Sequence, residues 1–394
     1  MRRFLRLACL VAITGSAPVA GQAPAQPAPA QTAPVDDTPI FRVSVSLVQL
    51  DAVVTDRKGR HVTTLGPEDF EVYQDGRRQP ITAATYIELD DQWVDTSGLP
   101  PLPAAALRPA DAHRTMAVVV DDLRMSFESI HEARRGLGEF FNRQFRPGDA
   151  AMLATTSGAT RVSKLTSSST VLRSAVNRLR FSFWGMRAAS VMQPIDGIAD
   201  SGLADAFQER TLSASAILRI EEVIDALKPL PGRKSVVLVS EGFQVFGFGM
   251  DNEMIRDALR GMVDRANRAG VVLYAIDPRG LVNVGITAAD RVGGGRQAAS
   301  IMSARSAALR ESQDGLRYLA GETGGFAVVN TNDLAFGFRK VMADQHGYYL
   351  IGYQPEAGSV NELTRDRFRR VSIKVKRKGL KVRTRAGFYA RTTE

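Results

Sequence analysis

The spacing of apolar residues changes twice along this chain, and the changes divide it into three stretches. In the first, residues 41–89, apolar and polar side chains alternate, which is the period of strands that bury one face. The phase of the alternation slips between Leu47 and Val48, and this predicts a β-bulge. An Asp75-Gly76 pair favours the type I′ turn of a hairpin. We therefore expect a small antiparallel unit here.

The second stretch, from Thr115 to about residue 345, alternates short β-branched runs with longer amphipathic segments. The runs are typical of buried strands and the segments of helices, so we expect a doubly wound, mostly parallel sheet with helices on both faces. The expected strands cover residues 116–120, 150–155, 236–239, 271–276 and 326–330, and the expected helices cover residues 127–145, 171–179, 212–227, 251–269 and 302–320.

The last stretch returns to the alternating pattern. Residues 348–353 predict one strand, and residues 371–375 and 380–382 predict a hairpin around a turn at Gly379. An isolated hairpin is only marginally stable, and the first stretch is short as well. We therefore expect both ends of the chain to form one small antiparallel β-sandwich, with the α/β domain inserted in it.

Composition marks the boundaries of these stretches. The first residues combine three arginines with a short apolar run and end at Ala23 after small residues, as a secretory signal peptide does. We expect cleavage near Ala23 and a secreted or periplasmic protein. Two Pro/Ala-rich tracts predict linkers. The expected order is a signal peptide at 1–23, a linker at 24–40, the first half of the β-sandwich at 41–92, a linker at 93–113, the α/β domain at 114–345 and the second half of the β-sandwich at 346–390.

Charge and cysteine content narrow the function classes. The chain has one cysteine, Cys9, inside the signal peptide, so the mature protein can use neither disulfides nor thiol chemistry. The net charge is +9, and residues 365–385 are rich in basic side chains that alternate with apolar ones, as on a solvated sheet face. We therefore expect no nucleic-acid partner. No later segment approaches the ~20 apolar residues of a membrane span, so we expect no integral membrane segment in the mature chain.

Two of the expected strands end at carboxylates. Residues 116–120 lead directly into Asp121 and Asp122, and residues 236–239 are followed two positions later by Glu241. In open parallel sheets, ligands bind beyond the carboxyl ends of the strands. We therefore expect all three carboxylates at one edge of the sheet, where they would suit a hard cation such as Mg²⁺.

Several short motifs at strand ends and turns follow one another in a distinctive order: Leu65-Gly-Pro-Glu-Asp-Phe-Glu-Val-Tyr-Gln-Asp-Gly76, Val118-Val-Val-Asp-Asp122, Arg146-Pro-Gly-Asp149, Leu230-Pro-Gly-Arg-Lys-Ser235, Val239-Ser-Glu-Gly-Phe243, Tyr274-Ala-Ile-Asp-Pro-Arg-Gly280, Leu319-Ala-Gly-Glu-Thr-Gly-Gly325 and Tyr348-Tyr-Leu-Ile-Gly-Tyr353. The set resembles the von Willebrand factor A domain family and, more narrowly, its secreted bacterial (acidobacterial-type) related proteins. The resemblance runs from about residue 41 to residue 389. It implies a doubly wound sheet with a metal-ion-dependent adhesion site.

The adhesion site that this resemblance implies uses Asp-x-Ser-x-Ser after the first strand, a threonine from a later loop and an aspartate after the fourth strand. Here Leu123, Arg124 and Met125 occupy places where hydroxyls are expected, and the degenerate motif keeps Ser126. Glu241 replaces the later aspartate. The candidate ligands of Mg²⁺ are Asp121, Asp122, Ser126, Thr211 and Glu241, with Ser213 as a rival of Thr211.

Arg124 leaves two interpretations of this degenerate site open. In the first, Mg²⁺ binds and water fills the vacant coordination positions. In the second, the guanidinium group of Arg124 stands in for the ion and pairs with Asp122 or Glu241.

The expected function is that of an exported module without enzymatic activity, which binds a protein or cell-surface ligand at the carboxylates. No catalytic residue is assigned, because the four histidines of the chain are dispersed and no Gly-x-Ser-x-Gly motif is present. Two alternatives stay open. One is a structural protein of envelope assembly that uses the β-sandwich, and the other is a metal-assisted hydrolase that uses the same carboxylates.

Overall fold

Fourteen strands in three sheets and six α-helices make up the part of the chain that the computed structural model describes, namely residues 47–89, 114–146, 149–182, 202–243, 250–287, 290, 292–355 and 368–389. The strands are β1 (Val48–Thr55), β2 (Phe70–Gln74), β3 (Arg77–Gln79), β4 (Ile81–Glu88), β5 (Thr115–Val120), β6 (Ala150–Thr155), β7 (Arg161–Thr166), β8 (Lys234–Val239), β9 (Val271–Ile276), β10 (Ala327–Val328), β11 (Gly347–Tyr353), β12 (Phe368–Val375), β13 (Lys381–Thr384) and β14 (Gly387–Tyr389). The helices are α1 (Phe127–Arg143), α2 (Ser169–Asn177), α3 (Gly202–Leu227), α4 (Met250–Ala269), α5 (Gly295–Glu322) and α6 (Leu334–Asp344). The signal peptide, both linkers and the strand positions expected before Leu47 lie outside the described residues.

The central sheet confirms the predicted mixed α/β class with a mostly parallel sheet. Its order is β10-β9-β8-β5-β6-β7, and every neighbouring pair is parallel except β6 with β7. All residues of β5, β8 and β9 are buried, as expected for strands covered on both sides. Along β5, Val118 and Val120 pack with α1, α2 and α6, whereas Ala117 and Val119 pack with α3, α4 and α5. Because successive side chains of a strand point to opposite faces of the sheet, β5 contributes to the hydrophobic cores on both faces.

The strand order reverses between β5 and β8. The chain continues from β5 through α1 to β6 on one side, and it later returns to β8 on the other side of β5. The carboxyl ends of β5 and β8 therefore form a topological switch point, the place where open α/β sheets bind ligands. We call the edge formed by the carboxyl ends of β5, β8 and β9 the rim. Backbone N–H groups keep its residues in register: Asp121 donates to Val239 O at 2.9 Å, Ser240 to Ile276 O at 3.1 Å and Asp277 to Val328 O at 2.9 Å.

The other two sheets are antiparallel, and each combines strands from both ends of the chain. Their orders are β13-β1-β11-β4 and β14-β12-β2-β3. They share one core, which contains Leu50, Ala52, Val54, Tyr349, Ile351 and Tyr353 from the first sheet and Phe70, Val72, Val371 and Ile373 from the second. The turn between β2 and β3 has positive φ at both Asp75 (50°) and Gly76 (81°), as the predicted type I′ hairpin requires.

The predicted hairpin near the end of the chain is wrong. Strand β12 pairs with β2 and β14, whereas β13 pairs with β1 in the opposite sheet. The segment around Gly379 therefore crosses from one sheet to the other. Alternation shows that Val371 and Ile373 face a core, but any antiparallel neighbour satisfies that pattern. The two strands are placed by the sandwich core that they share.

Several helices and strands differ from expectation in extent. Helices α3 and α5 begin about two to three turns before the expected residues 212 and 302. Strand β7 and helix α6 are not anticipated at all. Among the described helices, none combines the length and the apolarity that crossing a bilayer requires.

The central sheet and the sandwich meet at a group of polar side chains, which we call the seam cluster: Arg233, Tyr274 and Asp344, which are buried, and Arg383, which is partly exposed. The Tyr274 hydroxyl donates to Asp344 Oδ2 at 2.7 Å, and Arg233 Nη2 lies 3.8 Å from the same oxygen. Arg383, from β13, donates to Asp344 Oδ1. This cluster connects the sandwich to β9 and α6 of the α/β layer.

Candidate functional site

Asp121 is the innermost carboxylate of the rim. It directly follows β5, and its side chain is fully buried. Its Oδ1 accepts a hydrogen bond from Thr156 Oγ1 at 2.9 Å, and its Oδ2 accepts one from Ser240 Oγ at 2.7 Å. Both oxygens are therefore held by hydroxyl groups from the two strands that flank β5, because Thr156 follows β6 and Ser240 follows β8.

Asp122 is bound by the loop that follows β6. Its Oδ1 accepts from Ser157 N at 2.8 Å and from Thr156 Oγ1 at 3.1 Å, and its Oδ2 accepts from Ser157 Oγ at 2.5 Å. Thr156 N in turn donates to Val120 O at 3.0 Å, which fixes this loop beside the end of β5. Thr156 thus contacts both carboxylates of the Asp121-Asp122 pair.

Ser126 and Glu241 meet at the beginning of α1. Ser126 N donates to Glu241 Oε1 at 2.7 Å. The Ser126 hydroxyl accepts from Ser129 N at 3.2 Å and is the N-cap of the helix. A carboxylate at this position also interacts favourably with the helix dipole. The structure therefore brings these two predicted site residues together, but as a helix-capping arrangement.

Thr211 does not lie in a loop, as the resemblance implied. It lies within α3, where its side chain is exposed and its backbone carbonyl accepts from Ser215 Oγ at 2.8 Å. Thr156 contacts two of the rim carboxylates, Asp121 and Asp122, and sequence reasoning missed it. Its position was the available signal, because Thr156 directly follows a buried strand just as Asp121 does.

Asp277 and Arg279 add an ion pair to the rim, and sequence reasoning did not assign either to the site. Asp277 directly follows β9 and is fully buried. Arg279 forms a bidentate ion pair with Asp277, in which Nε donates to Oδ1 at 2.9 Å and Nη2 donates to Oδ2 at 2.8 Å. Gln313 Nε2 donates to Asp277 Oδ2 at 3.2 Å, and Arg279 Nη2 also donates to Ser312 Oγ at 3.0 Å. Two residues of α5 thereby complete this pair.

Burial has the largest effect on the pKa values of Asp121 and Glu241. Removal from water raises the pKa of Asp121, against the opposing effects of Arg124 and of the Ser240 and Thr156 hydroxyls. Burial also raises the pKa of Glu241, against the Ser126 backbone N–H and Arg279. The folded state therefore binds a proton at these two groups more tightly than the unfolded chain does.

Arg124, which one of the two interpretations treats as a substitute for the ion, is buried. Its guanidinium carbon lies 4.7 Å from the centroid of the Phe243 ring, a cation–π distance. Its charge opposes the rise that burial causes in the pKa of Asp121, and Arg279 opposes the corresponding rise at Glu241. Two arginines therefore supply positive charge to the carboxylates.

The residues at the rim do not fit Mg²⁺. Magnesium requires near-octahedral oxygen ligands that point to one centre. Here both oxygens of Asp121 and of Asp122 accept hydrogen bonds, Ser126 caps a helix, and Arg279 occupies both oxygens of Asp277. Within the described ranges, no group of three or more acidic, histidine or cysteine side chains is arranged to hold a metal ion. The chemistry of the rim is that of buried acids neutralised by hydroxyls, backbone N–H groups and arginine.

Comparison with known proteins adds no assignment to this site. A scan against protein-family models finds no match, and a search among curated proteins finds no significant match.

Proposed function

We propose that this chain is an exported, von Willebrand factor A-like binding module whose rim recognises a protein or cell-surface ligand. Its α/β architecture and the switch point at Asp121 and Glu241 support the comparison with that family. Export rests on the basic and apolar pattern of residues 1–23.

The observation that carries the proposal is a set of exposed apolar side chains around the rim. Phe127, the first residue of α1, is 64% exposed, and Leu281, four residues after Asp277, is 68% exposed. Ile286, in the same loop as Leu281, is 39% exposed. Single exposed apolar residues are normal, but several on the segments that follow two strands at one edge of a sheet favour an interaction surface.

The loop that carries Leu281 is held in place. Leu281 N donates to Asn332 Oδ1 at 2.8 Å, before α6. Further along the loop, Arg305 Nη1 donates to Gly285 O at 3.0 Å and to Asp290 Oδ2 at 2.9 Å. Apolar side chains on a fixed loop lose little conformational entropy when they bind a partner. The loop therefore offers a preformed contact surface.

The proposed recognition uses neither a metal ion nor catalysis. The rim carboxylates are occupied by internal donors, so the ligand contacts the apolar residues that surround them. Ser240 donates to Asp121 rather than to a histidine, and a nucleophile needs an adjacent base. A binding module is therefore better supported than a hydrolase.

The experiment is capture of ligand from the envelope and medium of the exporting cell on immobilised mature protein. A Phe127→Ser/Leu281→Ser variant should bind its ligand about thirtyfold more weakly, because two central apolar contacts of ~1 kcal/mol each together contribute ~2 kcal/mol. The matched control is Leu218→Ser, since Leu218 is 61% exposed and belongs to α3 rather than to α1 or to the loop after β9. EDTA should leave capture unchanged. Equal capture by the double variant and the wild type would refute the proposed surface, and EDTA-sensitive capture would refute its metal independence.

A further inference from the structure

A second concave site lies at the opposite end of the central sheet from the rim. The cavity measures about 460 Å³ and lies between the carboxyl ends of α3 and α4 and the β14 end of the sandwich. Because α4 ends just before β9 begins, this cavity is at the amino ends of the parallel strands. Its size is in the range of small-ligand pockets, which is roughly 300–1,000 Å³.

The walls of the cavity are strongly basic. Lys228, Arg265, Arg268 and Arg385 line it, against one carboxylate, that of Asp225. Arg265 Nη1 pairs with Asp225 at 2.7 Å, and Arg268 pairs with Asp264 outside the cavity. The remaining two cations differ from these. In the described part of the chain, neither Lys228 nor Arg385 has a carboxylate within ion-pair distance.

Arg385 is the most informative of these side chains. Its Nη1 donates to Asn267 O at 3.0 Å and its Nη2 to Gln49 O at 2.7 Å, so its hydrogen bonds go to neutral carbonyl groups, and the charge of Asp51 also acts on it from outside the cavity. Its Nε–H is buried and has no acceptor among the described residues. A guanidinium group removed from water favours an anionic partner, because carbonyl dipoles compensate only part of its charge.

Helix stabilisation explains only part of this arrangement. Lys228 and Arg268 lie at the carboxyl ends of α3 and α4, where cations interact favourably with the helix dipole. Arg385 also donates to a carbonyl in the last turn of α4, but it belongs to the connection between β13 and β14 and reaches the cavity from the sandwich. Two separate layers of the protein therefore direct cations into one cavity.

We propose that this cavity binds a phosphate or sulfate group, with the organic part of the ligand against the ring of Phe388. Phe388 lines the same cavity, and the Arg385 guanidinium lies 5.8 Å from its ring centroid. Tetrahedral oxyanions accept the paired N–H groups of arginine, and a neighbouring lysine adds a point charge. The inference is independent of the function proposed for the rim, since the two sites lie at opposite edges of the sheet.

Calorimetric titration of the mature protein with inorganic pyrophosphate, and separately with sulfate, tests this proposal. The wild type should bind at least one of the two anions, and its affinity should fall with added salt. Lys228→Glu should weaken binding about tenfold or more, because it reverses a charge at the cavity. Arg310→Glu is the matched control, because it reverses an exposed charge on α5 and should leave the affinity unchanged.

The outcomes separate the possibilities. Tighter binding of pyrophosphate assigns the cavity to phosphate groups, and tighter binding of sulfate assigns it to sulfate groups. Failure of the wild type to bind either anion at millimolar concentration overturns the proposal, as does an equal loss of affinity in Lys228→Glu and Arg310→Glu. Melting curves recorded with both variants check that each is folded, and Lys228→Gln replaces the charge reversal if Lys228→Glu is not.

Discussion

The rim and the seam cluster both bury charge, but they neutralise it in different ways. At the rim, Asp121 and Asp122 accept hydrogen bonds from several neutral donors, which are hydroxyls and a backbone N–H. At the seam cluster, the carboxylate of Asp344 forms ion pairs with both Arg233 and Arg383. A charge shared among several neutral donors tolerates the loss of one donor. A single carboxylate that is shared by the buried Arg233 and the partly exposed Arg383 has no substitute, so the seam cluster should be the more fragile region.

The largest predicted effect is therefore at Asp344. Asp344→Ala should lower the free energy of unfolding by about 3–5 kcal/mol, because the buried guanidinium group of Arg233 and the partly exposed one of Arg383 lose their counter-charge. The Tyr274 hydroxyl, which donates to Asp344 Oδ2 at 2.7 Å, would also lose its acceptor. Urea denaturation of the mature protein measures the change.

An exposed ion pair provides the control for Asp344. Asp314 pairs with Arg317 at 2.8 Å on the surface of α5, where both side chains are about half exposed. Asp314→Ala should therefore cost less than about 1 kcal/mol. If the two alanine variants lose similar stability, burial does not make the seam cluster fragile and the comparison fails.

At the rim, we expect the largest loss of stability at the Asp277–Arg279 pair. There, as in the seam cluster, a buried carboxylate is paired with arginine. Arg279→Ala should destabilise the protein by about 3 kcal/mol, because a buried carboxylate loses its charged partner. The effect should be smaller than at Asp344, since Gln313 Nε2 and the backbone N–H of residue 279 still donate to Asp277. Urea denaturation again provides the measurement.

Metal addition and a lysine substitution test the interpretation that Arg279, rather than a metal ion, supplies the positive charge beside Asp277. The wild type should melt at the same temperature with millimolar Mg²⁺ or with EDTA, because a ligand that binds only the folded state would raise the melting temperature. Arg279→Lys should recover only part of the lost stability, since an ammonium group cannot form the two-pronged contact. A rise in the melting temperature of the wild type on adding Mg²⁺ would contradict the metal-free interpretation.

The sequence predicted the central sheet better than the sandwich, and the reason is physical. Buried parallel strands are continuous apolar runs, so residues 271–276 could be bounded correctly from composition alone. In the sandwich, the alternation of Val371 and Ile373 identified a strand but not its partner, because partners are chosen by tertiary packing. The pattern along one strand does not contain the information that places it in a sheet.

The candidate site could likewise be predicted only in part from the sequence. Asp121 and Glu241 could be placed at the rim because each closely follows a β-branched run. Thr156 and Arg279 could not, since a threonine or an arginine after a strand is common and its role depends on which neighbours the fold supplies. The family resemblance also directed attention to Thr211, whose exposed position on α3 was not apparent from spacing.

A substitution at Thr156 tests whether the charges of Asp121 and Asp122 are stabilised by several hydrogen-bond donors together. Thr156→Val keeps the shape of the side chain but removes the hydroxyl whose one hydrogen is shared between Asp121 Oδ1 and Asp122 Oδ1. The free energy of unfolding should fall by about 1–3 kcal/mol, which is the usual cost of leaving a buried acceptor with one donor fewer. Thr211→Val, at an exposed position, should change it by less than about 0.5 kcal/mol. A larger effect at Thr211 than at Thr156 would restore the assignment that the resemblance suggested.

The smallest predicted effect is a pH dependence at Glu241. Burial raises the pKa of Glu241 from its ordinary value of 4.5, so the folded state holds this proton more tightly than the unfolded chain does. The resulting stability is fully present below that ordinary value and is lost as pH rises through the folded pKa. Glu241→Gln cannot titrate and keeps a carbonyl acceptor for Ser126 N. Its stability relative to the wild type should therefore rise between about pH 4 and pH 8, in urea denaturation at each pH.

Asp290 should give the opposite slope and so controls for general effects of pH. The guanidinium group of Arg305 and the Thr287 backbone N–H hold the pKa of Asp290 well below its ordinary value of 3.8. This stability is present above that value and is lost as pH falls through the folded pKa, so Asp290→Asn should be most destabilised at neutral pH. For each variant, the quantity compared is the difference in stability from the wild type as a function of pH. Opposite slopes for Glu241→Gln and Asp290→Asn would show that desolvation dominates the pKa of Glu241 and that charge pairing dominates the pKa of Asp290. Equal slopes would mean that Glu241 behaves as an ordinary paired carboxylate, and the contrast between distributed and paired neutralisation would then not extend to this residue.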